Sequence, residues 1–186
     1  MGLLDSLFGR RDPTADWKAE AWVALVFDFS QNALCGVTIG EPVERLSQLG
    51  PVEDARAARR EGRYCYYSKG IEIGVGDGIV TSCLLVWGSP VDPRYRPFAG
   101  ACTCRCLTLP LNAGTGEAEI VQIFGAPYWR DEDQHEILLF YEWGAVEWEV
   151  ELTRQGRLKA VNIVTPPLLA DERQRRAYRV TKSWPP

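Results

Sequence analysis

Apolar and polar residues alternate with a period of two along much of this chain, which is typical of β-strands with one buried face. In two places a short turn separates a pair of such segments: IEIGV from IVTSCLLVW at residues 76–78, and AVEWEVEL from LKAVNIV at residues 154–157. The first turn contains an Asp-Gly pair, which is a strong signal for a tight hairpin. The pattern therefore predicts two antiparallel hairpins.

A segment with helical spacing precedes each hairpin. EPVERLSQLGP places three apolar residues of 43–49 on one helical face and ends at Gly50. TGEAEIVQIFGAP repeats this arrangement over 118–124 and ends at Gly125. Glycine after the last turn is common where a helix ends. The pattern of each half thus predicts a short amphipathic helix, followed by a polar loop and an aromatic strand. The aromatic strand is RYCYY in the first half and EILLFYEW in the second.

The two halves align at an offset of 75 residues, without a gap from Gly40 to Val75. Identities are few, so the alignment rests on the shared pattern, and the matched pairs are Gly50 with Gly125, Tyr66 with Tyr141, Glu72 with Glu147, Ile73 with Trp148, and Val75 with Val150. Self-similarity at a fixed offset indicates an internal duplication. We predict an α+β fold of two tandem units, each a helix with an antiparallel sheet.

A connector dense in Pro and Gly, GSPVDPRYRPFAG, separates the two units. The predicted organisation is an N-terminal tail or short helix (1–20), a first unit (21–87), the connector (88–100), a second unit (101–165), and a C-terminal helix and tail (166–186). The start, MGLLDSLFGRRD, has apolar residues suited to one face of a short helix. That helix either docks on the body of the protein or touches a membrane surface.

Composition narrows the classes of partner. The chain has 186 residues, of which 46% are hydrophobic and 25% charged, and its formal net charge is -4. An acidic chain without a basic patch is poorly suited to nucleic acid, and no apolar run is long enough to span a membrane. Six cysteines without a signal peptide are typical of reduced thiols in the cytoplasm. We expect a cytoplasmic protein without disulfides, bound metal or cofactor.

Three cysteines, Cys102, Cys104 and Cys106, occupy every second position in ACTCRC. Alternate residues of a strand share one face about 6.5–7 Å apart, which is poor geometry for a disulfide, and three thiols have no obvious fourth metal ligand. At the offset of 75, the first two match Phe27 and Phe29. We expect inert thiols that face the core, and a metal or redox cluster is the alternative.

The only histidine, His135, lies in the acidic loop DEDQHE at 131–136. Carboxylates and imidazole bind cations, but no nucleophile elbow or Cys-His signature accompanies this residue. A solvated acidic loop is the simpler interpretation. An enzyme or a metal-dependent factor that uses His135 or the three cysteines remains the alternative functional hypothesis.

An acidic strand face and several aromatic side chains are the candidates for partner binding. Glu147, Glu149 and Glu151 alternate with apolar residues and form either a solvated face or a recognition surface. The aromatic strands are apolar on both faces, which indicates either two covered faces or an exposed concave one. The glutamates would form a rim that steers a basic partner. The predicted anchors are Tyr66, Trp143 and Trp148.

The order of elements from RLSQLGP to IVTSCLLV, repeated from IVQIFGAP to LKAVNIV, resembles the fold shared by β-lactamase inhibitor protein and the small lipoproteins of the outer-membrane barrel-assembly machinery. The resemblance covers about residues 36–165 and implies a non-catalytic module whose concave sheet grips a partner. Those relatives are exported, whereas we expect neither a signal peptide nor a lipid-attachment cysteine here. We therefore predict a protein-binding module that is not an enzyme, such as an inhibitor or a toxin-immunity protein.

Overall fold

Both predicted hairpins are present in the computed structural model, which describes residues 12–21, 23–88, 92–167, 171–177 and 179–180. The strands in these ranges are β1 (Val26–Asp28), β2 (Ala33–Leu34), β3 (Val37–Thr38), β4 (Arg63–Tyr66), β5 (Ile71–Gly76), β6 (Ile79–Val86), β7 (Ala101–Cys104), β8 (Leu107–Leu109), β9 (Trp129–Glu132), β10 (Glu136–Trp143), β11 (Val146–Thr153) and β12 (Leu158–Val164). The helices are a 3₁₀ helix (Val43–Leu49), α1 (Ala55–Glu61), a 3₁₀ turn (Tyr67–Lys69), α2 (Glu117–Phe124) and α3 (Glu172–Ala177). This content of helices and largely antiparallel sheets confirms the predicted α+β class.

The two hairpins join into one large sheet of seven strands, in the order β4-β5-β6-β12-β11-β10-β9. The junction is the antiparallel pair of β6 and β12, in which Leu84 lies opposite Asn162. The order β4-β5-β6 on one side of the junction is mirrored by β10-β11-β12 on the other. An approximate two-fold axis normal to the sheet, at the junction, therefore relates the strands of the two halves.

A small sheet of five short strands, in the order β3-β2-β1-β7-β8, contains the first strand of each half. β1 and β7 pair in parallel, with Phe27 opposite Cys102, so residues that are 75 positions apart are neighbours in this sheet. A two-fold axis normal to a sheet relates antiparallel strands, and therefore it cannot relate β1 to β7. The two-fold relation that holds for the large sheet therefore does not extend to the small sheet.

The core lies between the two sheets. Its largest fully buried side chains include Phe27 from the small sheet and Trp148 and Ile71 from the large sheet. Leu46 from the 3₁₀ helix Val43–Leu49 and Ile120 from α2, hereafter the two central helices, are also fully buried. The other face of the large sheet carries a second, smaller cluster, formed by Ala57, Cys65, Tyr67, Val86 and Tyr95. The aromatic strand β4 is thus apolar on both faces because both of its faces are covered.

The ends of the two central helices have the same local structure. Gly50 has φ 82° and ψ −175°, and Gly125 has φ 85° and ψ −174°. The hydroxyl of Tyr66 donates to the carbonyl of Gly50 at 2.9 Å, and that of Tyr141 donates to the carbonyl of Gly125 at 3.1 Å. All four residues belong to pairs matched at the offset of 75, so the sequence alignment corresponds to a local structure that occurs in both halves.

Two elements differ from the sequence prediction. The first predicted helix is a 3₁₀ helix, which Gly50 closes by donating its N–H to the carbonyl of Ser47; short helices often adopt this tighter winding. The polar loop that follows it contains α1, which the sequence analysis missed. The carboxylate of Asp54 caps α1 by accepting from the N–H groups of Arg56 and Ala57. The corresponding part of the second half includes β9 instead of a helix.

The predicted N-terminal helix lies within residues 1–11, which are outside the described residues, as are residues 89–91 of the connector. A short helix does follow the second unit, where α3 was expected. Among the described residues, no helix is both long and apolar enough to cross a bilayer.

α3 is attached to the large sheet by a buried ion pair. The guanidinium of Arg175 contacts the carboxylate of Glu142, and these side chains are only 3% and 2% exposed. The same guanidinium lies 5.2 Å from the ring centroid of Tyr128. Because a buried charge without its counter-charge is strongly unfavourable, this pair ties the C-terminal helix to β10.

We expect Arg175→Ala to lower the free energy of unfolding by about 3–5 kcal/mol, because it leaves Glu142 buried without its cation. The measurement is equilibrium unfolding in urea. Arg176, exposed and paired with Glu172 on the same helix, provides the control, and Arg176→Ala should cost less than about 1 kcal/mol. Equal losses in the two variants would show that the Glu142 contact does not hold α3.

We expect Gly50→Ala to destabilise the protein more than Gly125→Ala. Both glycines have φ in the left-handed region, so each substitution costs about 1–3 kcal/mol in backbone strain. A methyl group at Gly50 would in addition lie 2.8 Å from the Cβ of Ala19 and 3.1 Å from its nitrogen, whereas one at Gly125 would meet nothing within 4 Å. Urea unfolding of the two variants measures the difference, and equal losses would contradict the close contact at Gly50.

Candidate functional site

The structure corrects the predicted anchors. Tyr66 and Trp148 are only 1% and 2% exposed, so neither is a protruding side chain that could insert into a partner. Both point into the core from the large sheet, where the matched helix ends cover them. Trp143 differs, because it lies at the end of β10 and is 44% exposed. Of the three predicted anchors, only Trp143 is available for binding.

A pocket of about 470 Å³ opens beside Trp143. It lies between the edge of the small sheet, the C-terminal end of α2 and the β10–β11 turn. Its lining residues are mainly apolar and aromatic: Phe29, Ser30, Asn32, Cys104, Arg105, Leu107, Leu109, Ile123, Phe124, Gly125, Trp143 and Trp148. Among the described residues, the two large hydrophobic side chains that stand exposed are Trp143 and Leu107, which is 70% exposed, and both line this pocket.

The register of the small sheet explains the exposure of Leu107. Cys104 lies opposite Leu107 and Cys102 lies opposite Leu109, so these four side chains share one face. That face is the core side, because Cys102 is also level with the buried Phe27. β8 is an edge strand, and in the described structure the core-side face of the sheet is left uncovered at its end. Leu107 is therefore an inward-facing apolar residue with little to pack against.

The wall of the pocket is a preformed aromatic cluster. The ring of Trp148 lies 5.0 Å from that of Phe29, 5.1 Å from that of Phe124 and 5.0 Å from that of Trp143, measured between centroids. Its indole N–H donates to Oδ1 of Asn32 at 2.6 Å, so the polar atom of the ring is already paired. Trp148 thus supports the pocket from behind, and a ligand would meet apolar ring surface.

The lining contains one charged residue, Arg105, in the tight turn between β7 and β8. Cys104 is half-buried beside it, and Cys106, in the same turn, is exposed. The expectation of three core-facing thiols is therefore right for Cys102 and wrong for Cys106, because the strand ends at residue 104 and the chain turns. Burial raises the pKa of Cys102 to about 12, which makes this thiol a poor nucleophile.

The acidic loop has little organisation of its own. His135 and Asp133 lie between β9 and β10, where the Asp133 carboxylate accepts the N–H groups of His135 and Glu136. Among the described residues, no group of three or more His, Cys, Asp or Glu side chains is arranged to hold a metal ion.

The acidic stripe lies on the face of the large sheet opposite the pocket, because Glu147, Glu149 and Glu151 alternate with Trp148 along β11. Glu147 is 0% exposed and accepts from the hydroxyl of Tyr128. Glu151 lies 3.5 Å from the ammonium of Lys159. The idea that these glutamates form a rim around Trp143 and Trp148 is therefore wrong.

Glu149 is a partly buried glutamate whose pKa is raised. Burial, and secondarily the neighbouring charges of Glu151 and Glu147, raise its pKa to about 7, against a weaker opposing hydrogen bond from Asn162 at 3.5 Å. The corresponding residue in the first half is Gly74. Three carboxylates side by side on one partly covered face therefore disfavour the ionised form of Glu149.

Sequence reasoning missed Leu107 and most of the other pocket residues. The signal that was available is the segment LTL after the cysteine run, where two leucines flank a polar residue. That pattern indicates a strand with an apolar face, but it does not show whether another element covers the face.

The fold is α+β, and the described residues form an aromatic cavity at the end of the small sheet. No protein-family model matches the chain, and no curated protein is significantly similar to it. A solved structure that is similar to this chain is that of a DUF4309 family protein, YjgB, from Bacillus subtilis, with a TM-score of 0.48 and 14% sequence identity. The match covers 70% of this chain and 82% of that one.

We expect Glu149→Gln to stabilise the protein by about 1–3 kcal/mol at pH 8 and to have little effect near pH 4.5. The folded-state pKa is about 7, above the ordinary value of 4.5, so between these values the folded protein binds more protons than the unfolded chain. Stability is consequently lost as the pH rises from 4.5 through 7, and glutamine removes that loss. Urea unfolding at the two pH values is the measurement.

Glu44 provides the matched control, since it is an exposed carboxylate on the 3₁₀ helix. Glu44→Gln should change stability by a similar small amount at both pH values. If Glu149→Gln gave no greater stabilisation at pH 8 than at pH 4.5, Glu149 would not be the perturbed carboxylate.

Proposed function

We propose that this protein is a non-catalytic module that binds another protein through the pocket beside Leu107 and Trp143. The observation that carries the proposal is that the two exposed large hydrophobic side chains of the described chain line the same preformed cavity. Contiguous exposed apolar surface of this kind is typical of interaction sites, whereas single scattered hydrophobic residues are ordinary. An inhibitor or a toxin-immunity protein would use such a site.

The chemistry of the lining supports binding of an apolar side chain. Large aromatic rings supply much contact area at a small cost in conformational entropy. Trp148 and Phe124 are held in place by their neighbours, so little ordering is needed when a ligand enters. Arg105 supplies a positive charge at the mouth, where it would act on the orientation and the association rate of an acidic partner.

The proposal predicts that Trp143→Ala and Leu107→Asp each weaken capture of the partner by at least about tenfold. The measurement is quantitative affinity capture from an extract of the source cells, with equal amounts of each folded variant as bait. Circular dichroism and a thermal melt of each bait confirm that it is folded.

Arg60→Ala, an exposed change on α1 far from the pocket in sequence and fold, is the control and should retain the partner. A protein captured equally by wild type, by both pocket variants and by the control would contradict this assignment of the binding surface.

A further inference from the structure

In the first half, the chain itself covers the end of the central helix. Residues 14–20, hereafter the strap, cross the helix end at Gly50. The N–H of Glu20 donates to the carbonyl of Gln48 at 3.0 Å, and the hydroxyl of Thr14 accepts from the N–H of Val52 at 2.9 Å. Within the strap, the ring of Trp17 packs against that of Tyr64, with centroids 5.8 Å apart.

In the second half, the residues that the structure describes leave the same helix end uncovered. Gln48, Leu49 and Gly50 correspond to Ile123, Phe124 and Gly125 at the offset of 75, and these last three residues line the pocket. Gly50 is buried, whereas Gly125 is exposed. The pocket therefore includes the helix end whose counterpart the strap covers in the first half.

The path of the connector explains why the second half has no strap of its own among the described residues. The positions 75 residues after the strap are 89–95, and residues 92–95 run along the first half instead. There the ring of Tyr95 packs on Tyr67 at 4.8 Å and its hydroxyl donates to Glu72. The connector then leads into β7, which pairs with β1, and so it stays away from the end of α2.

We infer that the pocket binds an extended segment of a partner protein, which takes the place of a strap in the second half and inserts one large aromatic side chain. This inference rests on the proposed function and specifies the partner's chemistry. Arg105, the single charged lining residue, favours an acidic residue next to the aromatic one. The strap itself has this character, with Asp16 preceding Trp17.

The backbone beside the pocket is suited to an extended ligand. The N–H of Ala101 donates to Leu25 and the carbonyl of Thr103 accepts from Phe29, so residues 101 and 103 direct their main-chain groups to the side of β1. Cys102 and Cys104 direct their main-chain groups to β8, where their partners are Leu109 and Leu107, respectively. The main-chain groups of Thr108 therefore point outward from the edge strand, where an added strand can pair with them.

One further difference between the halves concerns a hydrogen bond that the strap makes in the first half. In the first half, the strap must supply an acceptor for the N–H of Val52. The corresponding residue in the second half is Pro127, which has no N–H. The open helix end therefore has no donor at this position that an internal strap would have to satisfy.

The test uses a fluorescently labelled peptide with the sequence of residues 12–21, DPTADWKAEA, and the full-length protein, with fluorescence anisotropy as the measurement. We expect saturable binding, and at least a tenfold loss of affinity for the peptide in which Trp17 is changed to Ala. Leu107→Asp in the protein should cause a similar loss, and Arg60→Ala none. Trp143→Ala is a second pocket variant, in case Leu107→Asp fails to fold.

Three outcomes would overturn the inference. One is the absence of binding up to about 1 mM peptide, a concentration at which even weak specific complexes form. Another is binding that both pocket variants retain, which would indicate displacement of the strap in the first half. The third is a tenfold gain in peptide affinity when Leu7→Asp and Phe8→Asp are introduced together, which would show that residues 1–11 occupy the pocket.

The outcomes also separate this inference from the proposed function. If pocket variants lose the captured partner but the peptide does not bind, the binding surface stands and the strap-like ligand is wrong. If the peptide binds in the pocket but the captured partner is unaffected by pocket variants, the proposed function is wrong.

Discussion

The antiparallel pairing of β6 with β12 is the interaction on which the rest of the structure depends. Each half alone supplies a helix and three main strands, and its inner strand, β6 in the first half and β12 in the second, has an unpaired edge. Pairing the inner strand of each half removes both of those edges and places the two central helices on the same face of one continuous sheet. The small sheet then closes over that face, and Phe27, Trp148 and Ile120 meet in a shared core.

The same pairing accounts for the polar side of the large sheet. Strands that are apolar on one face present Glu147, Glu149 and Glu142 on the other, and the connector and α3 cover parts of that face. Buried carboxylates require partners, and these come from Tyr128, Asn162 and Arg175. The acidic stripe is thus largely internal chemistry, and the raised pKa of Glu149 reflects its incomplete compensation.

The pocket arises where the repeat breaks down. Equivalent helix ends at Gly50 and Gly125 have the same backbone conformation and the same tyrosine hydrogen bond, but within the described ranges only the first has a strap across it. A single chain must leave the first half and enter the second, so its connector cannot follow the path of the N-terminal segment. In the part of the chain that the structure describes, the path of the connector therefore leaves Phe124 and its neighbours uncovered.

The amino-acid sequence by itself determined the local elements: the two hairpins and the two helix ends with their glycines. These depend on periodicity and turn chemistry, which involve residues close together in the chain. The tertiary structure decided which face of each element is covered, and by which residues. Trp148 and Trp143 look alike in sequence, yet one is buried by Phe29 and Phe124 and the other stands at a strand end. Burial is set by contacts between distant segments, which no local pattern encodes, and for that reason the exposed Leu107 could be found only in the folded chain.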